Sequence, residues 1–362
     1  MNYHKIIKSF FSKRNSLPLY LILFVTNRCN AQCPHCFYWK NLNQPAEELT
    51  LEELIKISRN VKGVQHLAIT GGEPILRLDL AAIIGAFYKN GGIHSISWQT
   101  NGFLTEKIIS TAKKVLTECP KLKLQIAVSL DEIAGRHDSF RVLPDLFNKT
   151  KETIAGLKSL HQNNLSVAVN LTLSARNQRR IRSIYSYIRD TIKPDAIFPL
   201  LVRGEPRNKK LPSIQPAFYR QLINLSRQDI AKNRSISQRF SFYSWLSARD
   251  AIARKLSMAN LSGKKIPRPK CVAGRLTGII YENGLVSACE IKNLEMGNIR
   301  KADYDLKKIW SSPEAIRARN WIKKNKCFCT HECFFNFNVL FSWRLLPRLI
   351  KEQLKILWST SR

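Results

Sequence analysis

The sequence predicts an α/β protein: a parallel sheet of six strand–helix units, followed by a smaller cysteine-rich segment. Three observations carry this. Short apolar runs alternate with amphipathic helical stretches up to about residue 205, the residues suited to chemistry fall just after the apolar runs, and the texture changes after residue 270. Six units are too few for a closed eightfold barrel, but an open barrel fits.

The first apolar run, "LPLYLILFV", follows a basic start (Lys5, Lys8, Lys13, Arg14) and so imitates a signal peptide. No small-x-small cleavage site follows it; Asn27, Arg28 and Cys29 do. It is too short to span a bilayer, and it reads as a buried strand over 21–26. A helix over 50–61 opens on Thr50 with Glu53 three residues on, the pattern of a capping box. A strand at 66–70 precedes a helix over 78–91, closed by Gly91. Further strands are expected at 94–100, 122–130, 165–173 and 196–202, with helices at 104–117, 146–162 and 177–191 between them. Crossover helices between parallel strands place chemistry at the strands' C-terminal ends. Those ends carry Cys29, Cys33 and Cys36, then Gly71-Gly72-Glu73-Pro74, then Thr100-Asn101-Gly102, then Ser129 and Asp131. Gly, Asn and Pro turn chains anywhere, but four consecutive strands ending this way argue for a site.

The charge bears on partners. Of the 362 residues, 59 are Lys or Arg and 26 Asp or Glu, a net +33, which favours nucleic acid, an anionic membrane surface or an acidic substrate. RNA is disfavoured because no basic-aromatic binding module is apparent. Nine cysteines, three at 29–36, five from 271 to 333 and Cys119 alone, read as metal sites in a reducing cytoplasm rather than disulfides. Cys119, before Pro120, reads as a small structural residue.

Thiolates at C-x3-C-x2-C suit a [4Fe–4S] cluster with one sulfur per iron, leaving the fourth iron open. Zinc with His35 as fourth ligand is the plainer alternative, but adjacent residues such as His35 and Cys36 rarely reach one ion. The motif after the first strand resembles the signature of the radical S-adenosylmethionine (SAM) superfamily, over about residues 18–205. That resemblance implies a partial (β/α)6 barrel in which the open iron chelates the amino and carboxylate groups of SAM. "GGEP" (71–74) is similar to the family's glycine-rich element, and implies that Gly71, Gly72, Glu73 and Pro74 contact SAM, with the Glu73 carboxylate on the ammonium group of SAM. "QTNG" (99–102) and "VSLD" (128–131) resemble segments lining the SAM pocket, so Thr100, Asn101, Ser129 and Asp131 are expected there, the last two on ribose hydroxyls. His35 departs from the aromatic residue usual at its position. The resemblance implies one-electron cleavage of SAM to methionine and a 5′-deoxyadenosyl radical, which takes hydrogen from a substrate. An electron donor such as flavodoxin or ferredoxin is implied with it.

The second set, Cys271, Cys289, Cys327, Cys329 and Cys333, resembles the SPASM/twitch extension that holds auxiliary [4Fe–4S] clusters, with structural zinc the alternative. The full SPASM form has seven cysteines. Five fit the shorter twitch type, with one cluster on four of them.

The expected organisation is a basic amphipathic N-terminal segment (1–17), the radical SAM core (18–205), a basic helical linker (206–268), the auxiliary domain (269–335) and an amphipathic tail (336–362). From Arg203 to Lys270, 16 Lys or Arg stand against Glu205, Asp229 and Asp250, with helices expected at 216–231 and 241–257. In "KIIKSFFSKR" (5–14), Ile6, Ile7, Phe10 and Phe11 share one helical face. The tail is expected to start a helix at Pro347, with Leu346, Leu349, Ile350, Leu357 and Trp358 on one face and Arg348, Lys351, Glu352 and Lys355 around it. That face either docks on the protein's own core or lies on an anionic membrane, so the protein is expected in the cytoplasm or peripherally on the inner membrane face. The substrate is expected to be a peptide, as is common for such enzymes, although the ~20 residues before the first strand hold no leader-binding domain. The rival is a lipid-linked or phosphorylated metabolite. An iron–sulfur electron carrier or zinc scaffold leaves "GGEP" and "TNG" unexplained.

Overall fold

The computed structural model describes residues 17–211, 213–232, 242–264, 269–327, 329 and 332–358. The basic segment at 5–14 lies outside the described residues, as do parts of the basic linker and positions 328, 330 and 331 among the last cysteines.

Six parallel strands form the core: β1 (Tyr20–Phe24), β2 (His66–Thr70), β3 (Ser95–Thr100), β4 (Lys123–Ser129), β5 (Leu165–Leu173) and β6 (Ala196–Leu201). Each pairs with its sequence neighbour, the order that right-handed crossovers produce in an open barrel. The strands are apolar because both faces are covered; Leu21, Leu23, Ile69, Ile96, Trp98, Ile126 and Val169 are fully buried. Helices α1 (Leu51–Arg59), α2 (Leu80–Lys89) and α3 (Thr105–Glu118) pack one on the next around the outside. The expected capping box of α1 is formed: Thr50 Oγ1 accepts from Glu53 N, and Glu53 Oε2 accepts from Thr50 N. Cys119 is buried at the end of α3, the structural place expected of it.

The chain departs from expectation in three places. A short helix, α4 (Gly135–Arg141), forms where the sequence shows no helical period; it enters from Ala134 at φ 54° and is pinned by Asp138, whose carboxylate accepts from Phe147 N at 2.7 Å. It is followed by α5 (Leu146–Lys158), which packs on α3. The single helix expected over 177–191 is a 3-10 turn (Gln178–Arg180), α6 (Ile181–Tyr187) and a π turn (Ile188–Ile192). Gly91 does not supply the left-handed turn after α2, which Gly92 makes at φ +65°. Gly91 is needed for room instead, since a Cβ there would stand 2.7 Å from Phe87 O.

The strands of the cysteine-rich segment continue the core sheet. Strand β7 (Thr277–Ile280) pairs in parallel with β1, and β8 (Leu285–Ser287) and β9 (Glu295–Asn298) continue antiparallel, giving nine strands in the order β6-β5-β4-β3-β2-β1-β7-β8-β9. Gly278 makes this packing possible: a Cβ there would lie 2.2 Å from the ring of fully buried Trp310, on α9 (Leu306–Trp310). Helix α10 (Pro313–Lys324) follows, capped by Ser312. A second, small core forms between α8 (Phe242–Leu261), α11 (Glu332–Leu340) and the tail helix α12 (Leu346–Trp358), through Ile252, Leu256, Phe335, Val339, Leu345 and Leu349, while α7 (Pro216–Lys232) packs beside α8 and belongs to the main core.

The tail helix therefore docks on the protein, but not by the face the sequence suggests. Leu349 is buried while Leu346 and Ile350 are exposed, and Glu352, placed among the surface charges by pattern, is buried against Lys255 at 2.7 Å.

Candidate active site

The loop leaving β1 is fixed by its own side chains. Glu48 accepts from Thr26 Oγ1 at 2.5 Å and from Asn27 N at 2.9 Å, and Asn27 Nδ2 donates to Asn41 O and Gln44 O. Asn43, in the left-handed region at φ 58°, takes Cys29 N on Oδ1 (2.9 Å) and gives Nδ2 to Cys29 O (3.0 Å). Cys36 N donates to Cys33 O, closing the turn that brings the last two cysteines together.

"Gly71-Gly72" is pressed against this loop. A Cβ on Gly71 would sit 2.3 Å from Thr26 O, and one on Gly72 2.1 Å from Arg28 O. Gly72 N and Glu73 N donate to Thr26 O and Arg28 O, each at 2.8 Å, so the glycines staple the end of β2 to the cysteine loop. Glu73 is 2% exposed and turned to the end of β3, accepting from Thr100 Oγ1 (2.8 Å) and Asn101 N (2.6 Å). Burial pushes its carboxyl up to about 7, against the pull of those two donors. Asn101 in turn gives Nδ2 to Asn30 Oδ1 at 2.7 Å, beside Cys29. The ends of β1, β2 and β3 thus form one hydrogen-bonded unit.

At the end of β4, Ser129 is half-buried. Asp131 has other partners than the ribose expected of it. Its carboxylate is fully buried, paired with Arg141 (2.6 Å) and accepting from Thr172 N (2.6 Å). Burial would raise its carboxyl, yet the Arg141 guanidinium holds it below the usual range. Arg141 also places Nη1 3.9 Å from Cys33 Sγ. Sequence reading missed Arg141, and it missed Asn170, which donates to Gln99 Oε1 at 2.5 Å inside the barrel and sits across from Ser129 on β5. Asn170 is legible afterwards as the amide in the apolar run "VAVNL".

The donor set fits an iron–sulfur cluster. Burial, reinforced by neighbouring thiols, pushes the Cys29 thiol up to about 12 and Cys36 up to about 11, so three thiolates require a cationic centre between them. Arg141 and Arg207 both act to lower the Cys33 and Cys36 thiols. Arg207 N donates to Cys36 O, and its buried Nε has no hydrogen-bond partner among the described residues. His35 lays its ring on Phe140 at 4.7 Å, a packing position. Among the described residues no three His, Cys, Asp or Glu side chains close on a single ion; cluster thiolates, each serving a different iron, need not do so.

Of the second set, Cys271, Cys289 and Cys327 are mutual neighbours. Burial pushes Cys271 up to about 11, and the two other thiols raise it further. Cys329 is half-buried; Cys333 lies on α11 with its side chain outside the described residues. The two sets are tied together. Tyr38 OH donates to Glu282 at 2.7 Å and its ring stacks on Tyr281 at 5.8 Å, while Arg203 lies over Phe37 and pairs with Glu290 at 3.4 Å.

An open parallel barrel with three cysteines at its first strand end, linked to a second cysteine set, defines an iron–sulfur enzyme of the radical SAM class. The model of the radical SAM superfamily matches residues 23–185, and that of SPASM, an iron–sulfur cluster-binding domain, matches 271–334. The chain belongs to the radical SAM superfamily; it is an enzyme that uses a [4Fe–4S] cluster, SAM and a further iron–sulfur site. It is similar to the AdoMet-dependent heme synthase of Methanosarcina barkeri, at 23% identity over 81% of this chain and 82% of that one. It also resembles the probable GTP 3′,8-cyclase of Archaeoglobus fulgidus, at 38% identity over 31% of this chain and 36% of the other. Among solved structures, native anSMEcpe with bound AdoMet shares the fold at TM-score 0.63 and 19% identity, over 94% of this chain and all of that one. Streptococcus suis SuiB bound to precursor peptide SuiA does so at 0.58 and 16%, over 87% and 69%.

Proposed function

We propose that SAM binds at the open iron of a cluster held by Cys29, Cys33 and Cys36, and that the enzyme removes hydrogen from a peptide substrate. The observation that carries the cofactor half is the stapling of "Gly71-Gly72" and Asn101 onto the cysteine loop, which fixes three strand ends around one point. When bound and reduced by one electron from a flavodoxin- or ferredoxin-like donor, the cofactor supplies the adenosyl radical. This chain's residues hold and orient. The three cysteines bind as thiolates, Arg141 and Arg207 offset their charge, and the backbone of Gly71, Gly72 and Pro74 lines the pocket with His35, Thr100 and Asn101. The Ser129 hydroxyl is assigned to the ribose. Glu73 and Asp131 serve here as braces rather than ligands, because Glu73 already holds Thr100 and Asn101, and Asp131 holds Arg141. The auxiliary site takes Cys271, Cys289 and Cys327, with Cys329 or Cys333 as the fourth ligand.

A peptide is supported by the shared two-part fold of SuiB, whose structure holds a precursor peptide. The second reading, a lipid-linked or phosphorylated metabolite, is favoured by the basic segment 203–270. One experiment separates them. Extract from cells grown in deuterated medium is divided into peptide and lipid fractions, and each is given to the reduced enzyme with SAM. Deuterium in the 5′-deoxyadenosine from the peptide fraction is expected; deuterium from the lipid fraction alone contradicts the peptide reading.

A further inference from the structure

The C-terminal helix α12, with the turn before it, divides its surface into three strips. Leu345 and Leu349, 2% and 1% exposed, are inserted between α8 and α11, and Glu352 on the same side pairs with Lys255 and with Arg227. A second strip points to solvent: Trp343, Leu346, Ile350 and Leu354, spaced three and four residues apart, are 76%, 46%, 44% and 43% exposed. These four are half of the eight large apolar side chains exposed among the described residues; Leu78, Val142, Ile316 and Trp321 are scattered elsewhere. Concentration on one convex stripe is therefore a feature of this helix. The third strip is Arg344, Arg348, Lys351 and Lys355, all exposed, with Arg344 over the Trp343 ring at 5.4 Å. The one acid of the helix is buried, so its outward charge is all positive.

We propose that this helix seats the enzyme on an anionic lipid surface, with the Trp343–Leu354 stripe in the headgroup boundary and the basic strip on the headgroups. Docking on the core and binding a membrane, rivals when read from sequence, use different faces. The charge selects the occupant. A second copy would bring another +33 chain against a basic strip, whereas an anionic bilayer is attracted by it. The stripe is a single convex helix with a Trp at its start, the form that lies in an interface rather than one that clasps a protein segment. At 13 residues, about 20 Å, it cannot cross a bilayer, and none of the described helices is long and apolar enough to do so. The inference is independent of the substrate.

The test uses the whole chain, anaerobically purified with its clusters, and vesicles of phosphatidylcholine with or without phosphatidylglycerol. Co-sedimentation with the anionic vesicles is expected, weakening as salt rises. The exposed-stripe variant Trp343→Ser/Leu346→Gln/Ile350→Gln should bind at least about tenfold more weakly, with iron content and elution volume unchanged. Deletion of the tail is the wrong variant, because it also strips Leu345 and Leu349 from the core. Equal binding to neutral vesicles, no binding to either, or full binding by the variant overturns the proposal. So does a stripe variant that shifts a monomer–dimer equilibrium while vesicles have no effect, since a second copy then covers the stripe.

Discussion

At the scale of single residues, the site depends on groups that never touch one another in sequence. Asp131 and Arg141 form a buried pair, and Asp131→Asn would leave a guanidinium without its counter-charge. We expect a loss of about 3–5 kcal/mol, read as a lower urea midpoint with unchanged slope. Gly72→Ala meets Arg28 O at a distance no flexible side chain can relieve. The variant should lose the first cluster and keep the second, seen as a halved iron content and a changed EPR signal. An iron content equal to that of the parent would show that the glycines are not the staple. The cysteines and "GGEP" were legible because each is a local pattern. Arg141 was not, because its partner Cys33 is 108 positions away. The sequence suggests Glu73 as a carboxylate for SAM; its hydrogen bonds from Thr100 and Asn101 come from the fold.

At the scale of elements, strands were read best. The strands at 66–70 and 165–173 agree with the structure to the residue, since runs buried on both faces have sharp ends. The broken helix at 177–192 and α4 were not legible, because tertiary contacts rather than periodicity set them. Helix α1 holds the clearest element-level test. Glu53 caps it and also accepts from Arg300 Nε at 2.6 Å and Tyr304 OH at 3.0 Å, tying the core to the turn after β9. The hydrogen bond from Arg300, foremost, holds its carboxyl down to about 2. A lowered folded-state pKa means the stabilisation is present above about pH 4.5 and is lost as pH falls through about 2. Glu53→Gln should therefore cost about 1–2 kcal/mol at pH 7, discounted for partial exposure. The gap from the parent protein should close as pH drops below about 4.5. A gap constant with pH would contradict the ion pair's role.

At the scale of the whole molecule, both cysteine sets are carried by one nine-stranded sheet, and the parallel pairing of β1 with β7 joins the two regions. That join was not legible, because its partners are more than 250 residues apart and each strand alone reads as a member of its own unit. Cys29, Cys33 and Cys36 are proposed to hold the cluster at which SAM is cleaved, apart from the second cluster. The most direct measurement is iron content and dithionite-driven formation of 5′-deoxyadenosine, in the reconstituted protein and in the triple variant Cys29→Ala/Cys33→Ala/Cys36→Ala. About eight irons and cleavage are expected for the first, and about four irons and no cleavage for the second. Cleavage surviving in the triple variant, or cleavage lost along with all of the iron, would contradict that assignment.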